Sequence, residues 1–248
     1  MNKIKRALIL AAGKGSRLNP VTIETPKPLI RVNGVRMIDT IIKGLYQNGI
    51  QEIYIVVGYL KDKFNILLED YPNIKLIENK YYEETNNISS LYVAREFLEE
   101  IIITDADLII KNPSILNPYF EKSGYSCSWC KEYTNEWFLQ TDNCGKITNC
   151  SIEGGKDGYR LWSISRWTKE DGKKLKKYVE EEFINKNNTT IYWDNIAMFC
   201  YPEEFDLHVY EIEKEDIVEI DNYQELIAID NSYANFKKAG EKNENKEN

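Results

Sequence analysis

Histidine is almost absent: His208 is the only one in 248 residues. A lone histidine argues against catalysis by a Ser-His-Asp triad or a Cys-His pair. His208 itself lies in an acidic stretch that reads as a surface loop. Long apolar runs are also missing; none approaches the ~20 residues a membrane span needs. Met-Asn-Lys-Ile-Lys-Arg leads straight into a strand-like run, without the apolar region and cleavage site of a signal peptide. A cytoplasmic location and no membrane partner are expected. Excess basic charge is lacking, since 32 Lys and Arg stand against 40 Asp and Glu, a net charge of −8. That argues against nucleic acid as a partner, although a local basic loop still suffices for a nucleotide. No internal repeat and no Gly-, Pro- or Ser-rich linker marks a domain boundary.

Five cysteines are present: Cys127, Cys130, Cys144, Cys150 and Cys200. The odd number, with no secretion signal, predicts free thiols. Cys127-Ser-Trp-Cys130 spells C-x-x-C, and Cys144 and Cys150 could complete a zinc site. A regular strand over 125–133 aims residues three apart at opposite faces, which argues against a shared metal.

The informative stretch is 8–29, Leu-Ile-Leu-Ala-Ala-Gly-Lys-Gly-Ser-Arg-Leu-Asn-Pro-Val-Thr-Ile-Glu-Thr-Pro-Lys-Pro-Leu. Arg6 to Ala11 is short and apolar and suits a buried parallel strand. Gly13 and Gly15 let the backbone turn sharply and approach a ligand. Successive N–H groups from Leu10, Ala11, Ala12, Gly13, Lys14, Gly15 and Ser16 could then face phosphate oxygens. Arg17 adds a planar fork of donors and Lys27 a point charge held between Pro26 and Pro28. The loop is not a P-loop, which needs G-x-x-x-x-G-K-[ST]. It is not a dinucleotide fingerprint either, because Leu18 stands where the last glycine belongs.

Strand-like runs at 6–11, 52–58, 74–77 and 101–105 alternate with helical patterns at 35–48, 61–70 and 88–99. Met37, Ile38, Ile41, Ile42 and Leu45 recur at helical spacing, and Gly49 can end that helix. Such alternation predicts a mainly parallel sheet with ligands at its carboxyl edge. The second half offers strands at 124–133, 146–152, 158–166 and 216–220. Thr168 can cap a helix to about Glu182, and Asp221 or Asn222 one from Tyr223 to Lys237. Residues 237–248 read as a polar tail.

Asp105-Ala-Asp107 ends one apolar run, and strand periodicity puts both carboxylates on one face. Asp221 ends another. One carboxylate from each strand end, with phosphate oxygens, would suit magnesium. Trp137, Tyr192 and Trp193 with Asp194 supply the aromatic faces and the carboxylate that a quaternary ammonium needs.

Leu-Ala-Ala-Gly-Lys-Gly-Ser-Arg-Leu followed by Thr-Pro-Lys-Pro-Leu resembles the signature of nucleotidyltransferases that activate sugar and alcohol phosphates with an NTP. Further stretches resemble the bacterial CTP:phosphocholine cytidylyltransferase branch. These are Val-Gly-Tyr-Leu-Lys (57–61), Asn-Asn-Ile-Ser-Ser-Leu-Tyr (86–92), Asp-Ala-Asp (105–107), Thr-Asn-Glu-Trp-Phe-Leu (134–139), Tyr-Trp-Asp-Asn (192–195) and Glu-Ile-Asp (219–221). The resemblance spans about 5–236; with a single histidine, the cytidylyltransferases that use an H-x-G-H motif are excluded. It implies an α/β fold: a single Rossmann-like domain over 1–236, a mixed, mainly parallel sheet flanked by helices, and acceptor elements mainly within 125–200. It implies transfer of CMP from CTP to phosphocholine, giving CDP-choline and pyrophosphate. Arg17, Lys27, Asp107 and Asp221 are its implied catalytic residues, and Asp107 and Asp221 its Mg2+ ligands. Asn87, Ser90 and Asp105 join the loop in binding nucleotide, and Trp137, Tyr192, Trp193 and Asp194 bind the acceptor. Residues 153–167, Trp162 among them, depart from that pattern and bear on the acceptor's identity. Phosphoethanolamine, 2-aminoethylphosphonate and a sugar 1-phosphate stay open as acceptors, and a non-catalytic nucleotide sensor as a different class. The sequence says nothing of oligomeric state.

Overall fold

The computed structural model describes residues 1–236; the polar tail expected at 237–248 lies outside them. The strands that build the site are β1 (Arg6–Ala11), β2 (Glu52–Val57), β3 (Ile74–Glu78), β4 (Ile101–Asp105) and β5 (Leu108–Ile110) from the first half. The second half adds β6 (Gly124–Cys130), β7 (Phe138–Thr141), β8 (Ile147–Ser151), β9 (Gly158–Trp167), β10 (His208–Glu211) and β11 (Ile217–Glu219). Helices are α1 (Met37–Gln47), α2 (Ile66–Asp70), α3 (Ile88–Val93), α4 (Lys169–Glu180) and α5 (Tyr223–Ile229).

Among the described residues, nine strands form one sheet in the order β8-β7-β9-β4-β1-β2-β3, with β6 on β9 and β10 on β6. The β4-β1-β2-β3 block is parallel, and β9 joins it antiparallel to β4. β5 and β11 make a separate antiparallel pair that carries the chain back to the carboxyl edge of the sheet. This is the α/β sheet that strand–helix alternation implies. The β1 residues Ala7, Leu8 and Ile9 are fully buried, as a central parallel strand covered on both faces must be.

Helix α1 shows how its sequence produces it. Met37, Ile38, Ile41, Ile42 and Leu45 are each fully buried, and a buried side chain of this kind contributes roughly 1.5–3 kcal/mol. Gly49 takes φ 75°. Its N–H donates to Tyr46 O, and the Ile50 N–H donates to Leu45 O, both at 3.0 Å. That is the pairing of a left-handed helix stop, which glycine adopts without steric cost. Thr168 caps α4 by accepting from the Asp171 N–H at 3.1 Å.

Several boundaries differ from the sequence expectation. Val35–Arg36 forms a short strand with Arg31–Val32, so the helix begins at Met37. The 61–70 segment opens as a 3-10 turn, and 88–99 is α-helical only to Val93 before tightening at Arg95–Phe97. The 124–133 strand stops at Cys130, which meets Gly158, the first residue of its partner β9. α5 ends at Ile229, because the Asp230 side chain accepts from the Ser232 N–H and starts a new turn; Lys237 lies outside the described residues. His208 is on strand β10, partly covered, and not on a surface loop. Among the described residues, no helix is long and apolar enough to cross a membrane.

Candidate active site

The carboxyl edge of β1 opens into a cleft of ≈ 320 Å³. Leu10, Ala11, Ala12, Gly13, Gly15, Ser16, Arg17, Lys27, Asn87, Ser90, Asp105, Asp107 and Asp221 all line it. Residues from five places in the chain thus converge on one space. Lys14 turns outward and pairs with Glu83 at 3.1 Å. Gly15 has φ 59°, and a side chain there would press on Lys27 Cβ at 3.0 Å. A glycine is needed both for the turn and for the passage of Lys27 beneath it.

Lys27 is 8% exposed. Its Nζ lies 2.8 Å from Asp107 Oδ2 and 3.5 Å from Asp221 Oδ1. Arg17 donates to Asp221 Oδ1 at 2.8 Å. The two cations and two acids therefore form one network that ties the glycine loop to the end of β11.

Glu219 is the residue that sequence reasoning missed. Carboxylate oxygens of Asp107, Glu219 and Asp221 lie within 4.8 Å of one another. Burial, with Asp107 and Asp221 beside it, pushes the Glu219 carboxyl up to about 7. Arg160 opposes that shift, donating to Glu219 Oε2 at 2.8 Å. Glu219 and Asp221 are two apart in an extended run, so period-2 alternation places them on one side. The same rule pairs Asp105 with Asp107. Burial and the charges of Asp107 and Asp194 raise the Asp105 carboxyl well above its ordinary value.

The aromatic residues divide. Trp137 and Tyr192 meet edge to face, 5.8 Å between ring centres, with Phe199 5.9 Å from Trp137. Tyr192 and Phe199 are exposed. Trp193 is not brought onto this wall. It is 2% exposed and packs among Tyr125 and Trp167 in the core. Its backbone N–H donates to Asn87 Oδ1 at 2.9 Å, linking the cleft to this segment. Asp194 is half-buried, and its Oδ1 is buried with no hydrogen-bond partner among the described residues. Burial raises its carboxyl to about 7, with the nearby Tyr125 hydroxyl offsetting part of the shift. Cys127 is buried and Cys130 only partly so, and all five thiols are free.

The chain is similar to known nucleotidyltransferases. Residues 6–122 match the Nucleotidyl transferase family model. The chain is 38% identical over 229 residues to the 2-aminoethylphosphonate cytidylyltransferase of Lancefieldella rimae, covering 92% of each chain. It is 34% identical over 220 residues to the choline-phosphate cytidylyltransferase of Streptococcus pneumoniae, covering 89% of this chain and 94% of that one. The solved structure of a CTP:phosphocholine cytidylyltransferase from Streptococcus pneumoniae superposes with a TM-score of 0.85 at 33% identity, covering 93% of this chain and 99% of that one. The chain therefore belongs to the nucleotidyltransferases, within the cytidylyltransferase family.

Proposed function

We propose that this enzyme, a single catalytic domain over 1–236, transfers CMP from CTP to 2-aminoethylphosphonate, releasing pyrophosphate. The observation that carries the choice of acceptor is the pair of buried oxygens just after Tyr192. Asp194 Oδ1 and Asn195 Oδ1 are both buried without a hydrogen-bond partner among the described residues. Unpartnered buried acceptors are costly; the Tyr125 hydroxyl, itself buried and unpartnered among the described residues, is one donor beside Asp194, and a primary ammonium would supply the others. Trimethylammonium has no N–H to give. With Trp193 withdrawn into the core, Phe199 takes its place beside Trp137 and Tyr192. The 38% identity to a 2-aminoethylphosphonate enzyme supports the same choice. Phosphocholine is the second reading, favoured by the exposed edge-to-face pair of Trp137 and Tyr192 and by the choline-phosphate relative.

In this reading the triphosphate lies along the glycine loop, with Arg17 and Lys27 against it. A phosphonate oxygen is already anionic at neutral pH and needs no general base; positioning and charge neutralisation carry the rate. It attacks the α-phosphorus of CTP. The bond from that phosphorus to the bridging β-oxygen breaks, and the electron pair leaves with pyrophosphate. Arg17 and Lys27 stabilise the charge that builds on the leaving group.

Asp107, Glu219 and Asp221 fit a magnesium ion. The donor set is all oxygen, the three carboxylates are adjacent, and Asp107 Oδ1 is buried with no partner among the described residues. When bound, the ion would neutralise phosphate charge there. The test is a matrix of CTP, UTP, GTP and ATP against 2-aminoethylphosphonate, phosphoethanolamine, phosphocholine and a sugar 1-phosphate, read by pyrophosphate release with magnesium. Highest kcat/KM for CTP with 2-aminoethylphosphonate is expected. A clear preference for phosphocholine would reverse the order of the two readings, and no release with any pair would leave a nucleotide sensor.

A further inference from the structure

We propose that Arg160 is the anion clamp for the acceptor's phosphonate or phosphate group. The assignment rests on the reading of the site as one that joins CMP to a small phosphonate or phosphate. Arg160 and Trp162 share one face of β9, two residues apart. The guanidinium carbon lies 4.0 Å from the centre of the Trp162 ring. Trp162 is buried, and its Nε1 donates to Ser128 Oγ at 3.0 Å. The indole is therefore a fixed platform, and stacking on it holds the arginine head in one orientation.

That orientation leaves donors free. A guanidinium carries five N–H groups in a rigid fork. One nitrogen, Nη2, donates to Glu219 Oε2 at 2.8 Å, with Glu136 Oε1 at 4.0 Å. Nε is buried and has no acceptor among the described residues. A buried N–H without a partner is costly unless a ligand supplies the oxygen. A phosphonate presents oxygens spaced for bidentate capture by such a fork.

The position suits that ligand. Glu219 belongs to the acidic group beside the triphosphate path. Glu136 immediately precedes Trp137, and the Trp137 carbonyl accepts from the Leu161 N–H at 2.8 Å. Arg160 thus stands between the reaction centre and the aromatic wall. An acceptor with its amine toward Trp137 and Tyr192 and its anionic end on Arg160 points a nucleophilic oxygen toward the α-phosphate. Lys27 and Arg17 are committed to Asp107, Asp221 and the CTP phosphates. The acceptor brings its own negative charge, and Arg160 is the cation placed to meet it.

The test is steady-state kinetics of wild type, Arg160→Gln and Arg160→Lys, varying CTP and acceptor separately, with unfolding midpoints recorded. Arg160→Gln should raise the KM for 2-aminoethylphosphonate about tenfold or more while the KM for CTP stays within about twofold, the signature of lost acceptor binding. Arg160→Lys should fall between, keeping the charge without the fork. If Arg160→Gln does not fold, the same KM split in Arg160→Lys decides. An unchanged acceptor KM in an active, folded variant overturns the clamp alone. Equal rises in both KM values also overturn it, because Arg160 would then only support Glu219. A wild type that turns over neither 2-aminoethylphosphonate nor phosphocholine sinks the functional reading, and the clamp with it.

Discussion

Replacing Lys27 by methionine keeps most of the side-chain volume and removes the charge. Its Nζ lies 2.8 Å from Asp107 and 3.5 Å from Asp221. With an effective dielectric of about 20, the Lys27–Asp107 attraction is on the order of 6 kcal/mol before desolvation. Two carboxylates within 4.8 Å of each other repel by roughly 3.5 kcal/mol or more on the same scale. Without Lys27 the acidic group is left to find a cation elsewhere, and the leaving pyrophosphate loses a preorganised donor. Loss of one such donor lowers kcat by about 10²–10³. Continuous pyrophosphate-release kinetics at saturating CTP and acceptor measure this directly. Magnesium should also raise the unfolding temperature of the nucleotide-free variant more than that of wild type, because the acids have lost their internal counterion. A folded Lys27→Met enzyme with kcat within about threefold of wild type would refute this account, since so small a change is under 1 kcal/mol of barrier.

Other outcomes follow from the same geometry. Glu219→Gln should raise the magnesium concentration for half-maximal activity, and a dependence identical to wild type would remove Glu219 from the acidic group. Asp194 stands at about 7, against 3.8 for an ordinary aspartate, so the folded state favours its protonated form. Stability from this group is present below pH ~4 and lost as pH rises through 7, by up to roughly 4 kcal/mol. Chemical denaturation at pH 5 and pH 8 should show about 2.5 kcal/mol of that loss in wild type and less of it in Asp194→Asn; equal losses would exclude the group. Gly172→Ala places a Cβ 2.1 Å from the Leu98 carbonyl oxygen and should destabilise by about 1–3 kcal/mol, read as a lower unfolding midpoint. Trp193→Ala should lower stability by about 3–5 kcal/mol, as a buried tryptophan does. A stable variant with only a raised acceptor KM would restore Trp193 to the acceptor pocket.

The parallel half of the fold was legible because its signals are long and redundant. Arg6–Ala11 and Ile101–Asp105 are unbroken apolar runs ending in glycine or aspartate, and α1 repeats its apolar face three times. Leu108–Ile110 and His208–Glu211 were not legible. Three or four residues carry too little periodicity, and pairing with distant β11 and β6 makes them strands. At the site, the glycine loop announces itself through Gly13, Gly15, Arg17 and Lys27. Glu219 was within reach of the alternation already applied to Asp105 and Asp107. Tyr192-Trp193-Asp194 shows the opposite error. Consecutive side chains cannot all face one space, and here Tyr192 is exposed while Trp193 is buried.

The link between Arg17 and Asp221 spans 204 positions of sequence, and this has a consequence for how the enzyme comes into being. During synthesis the glycine loop and the parallel strands leave the ribosome early and can pack together. Their phosphate-facing cations then have no acids from β11 and its following turn to meet them. On the roles proposed above, a nascent chain stopped before residue 221 would hold the nine-stranded sheet but lack the acid that meets Arg17, and it is expected to be inactive.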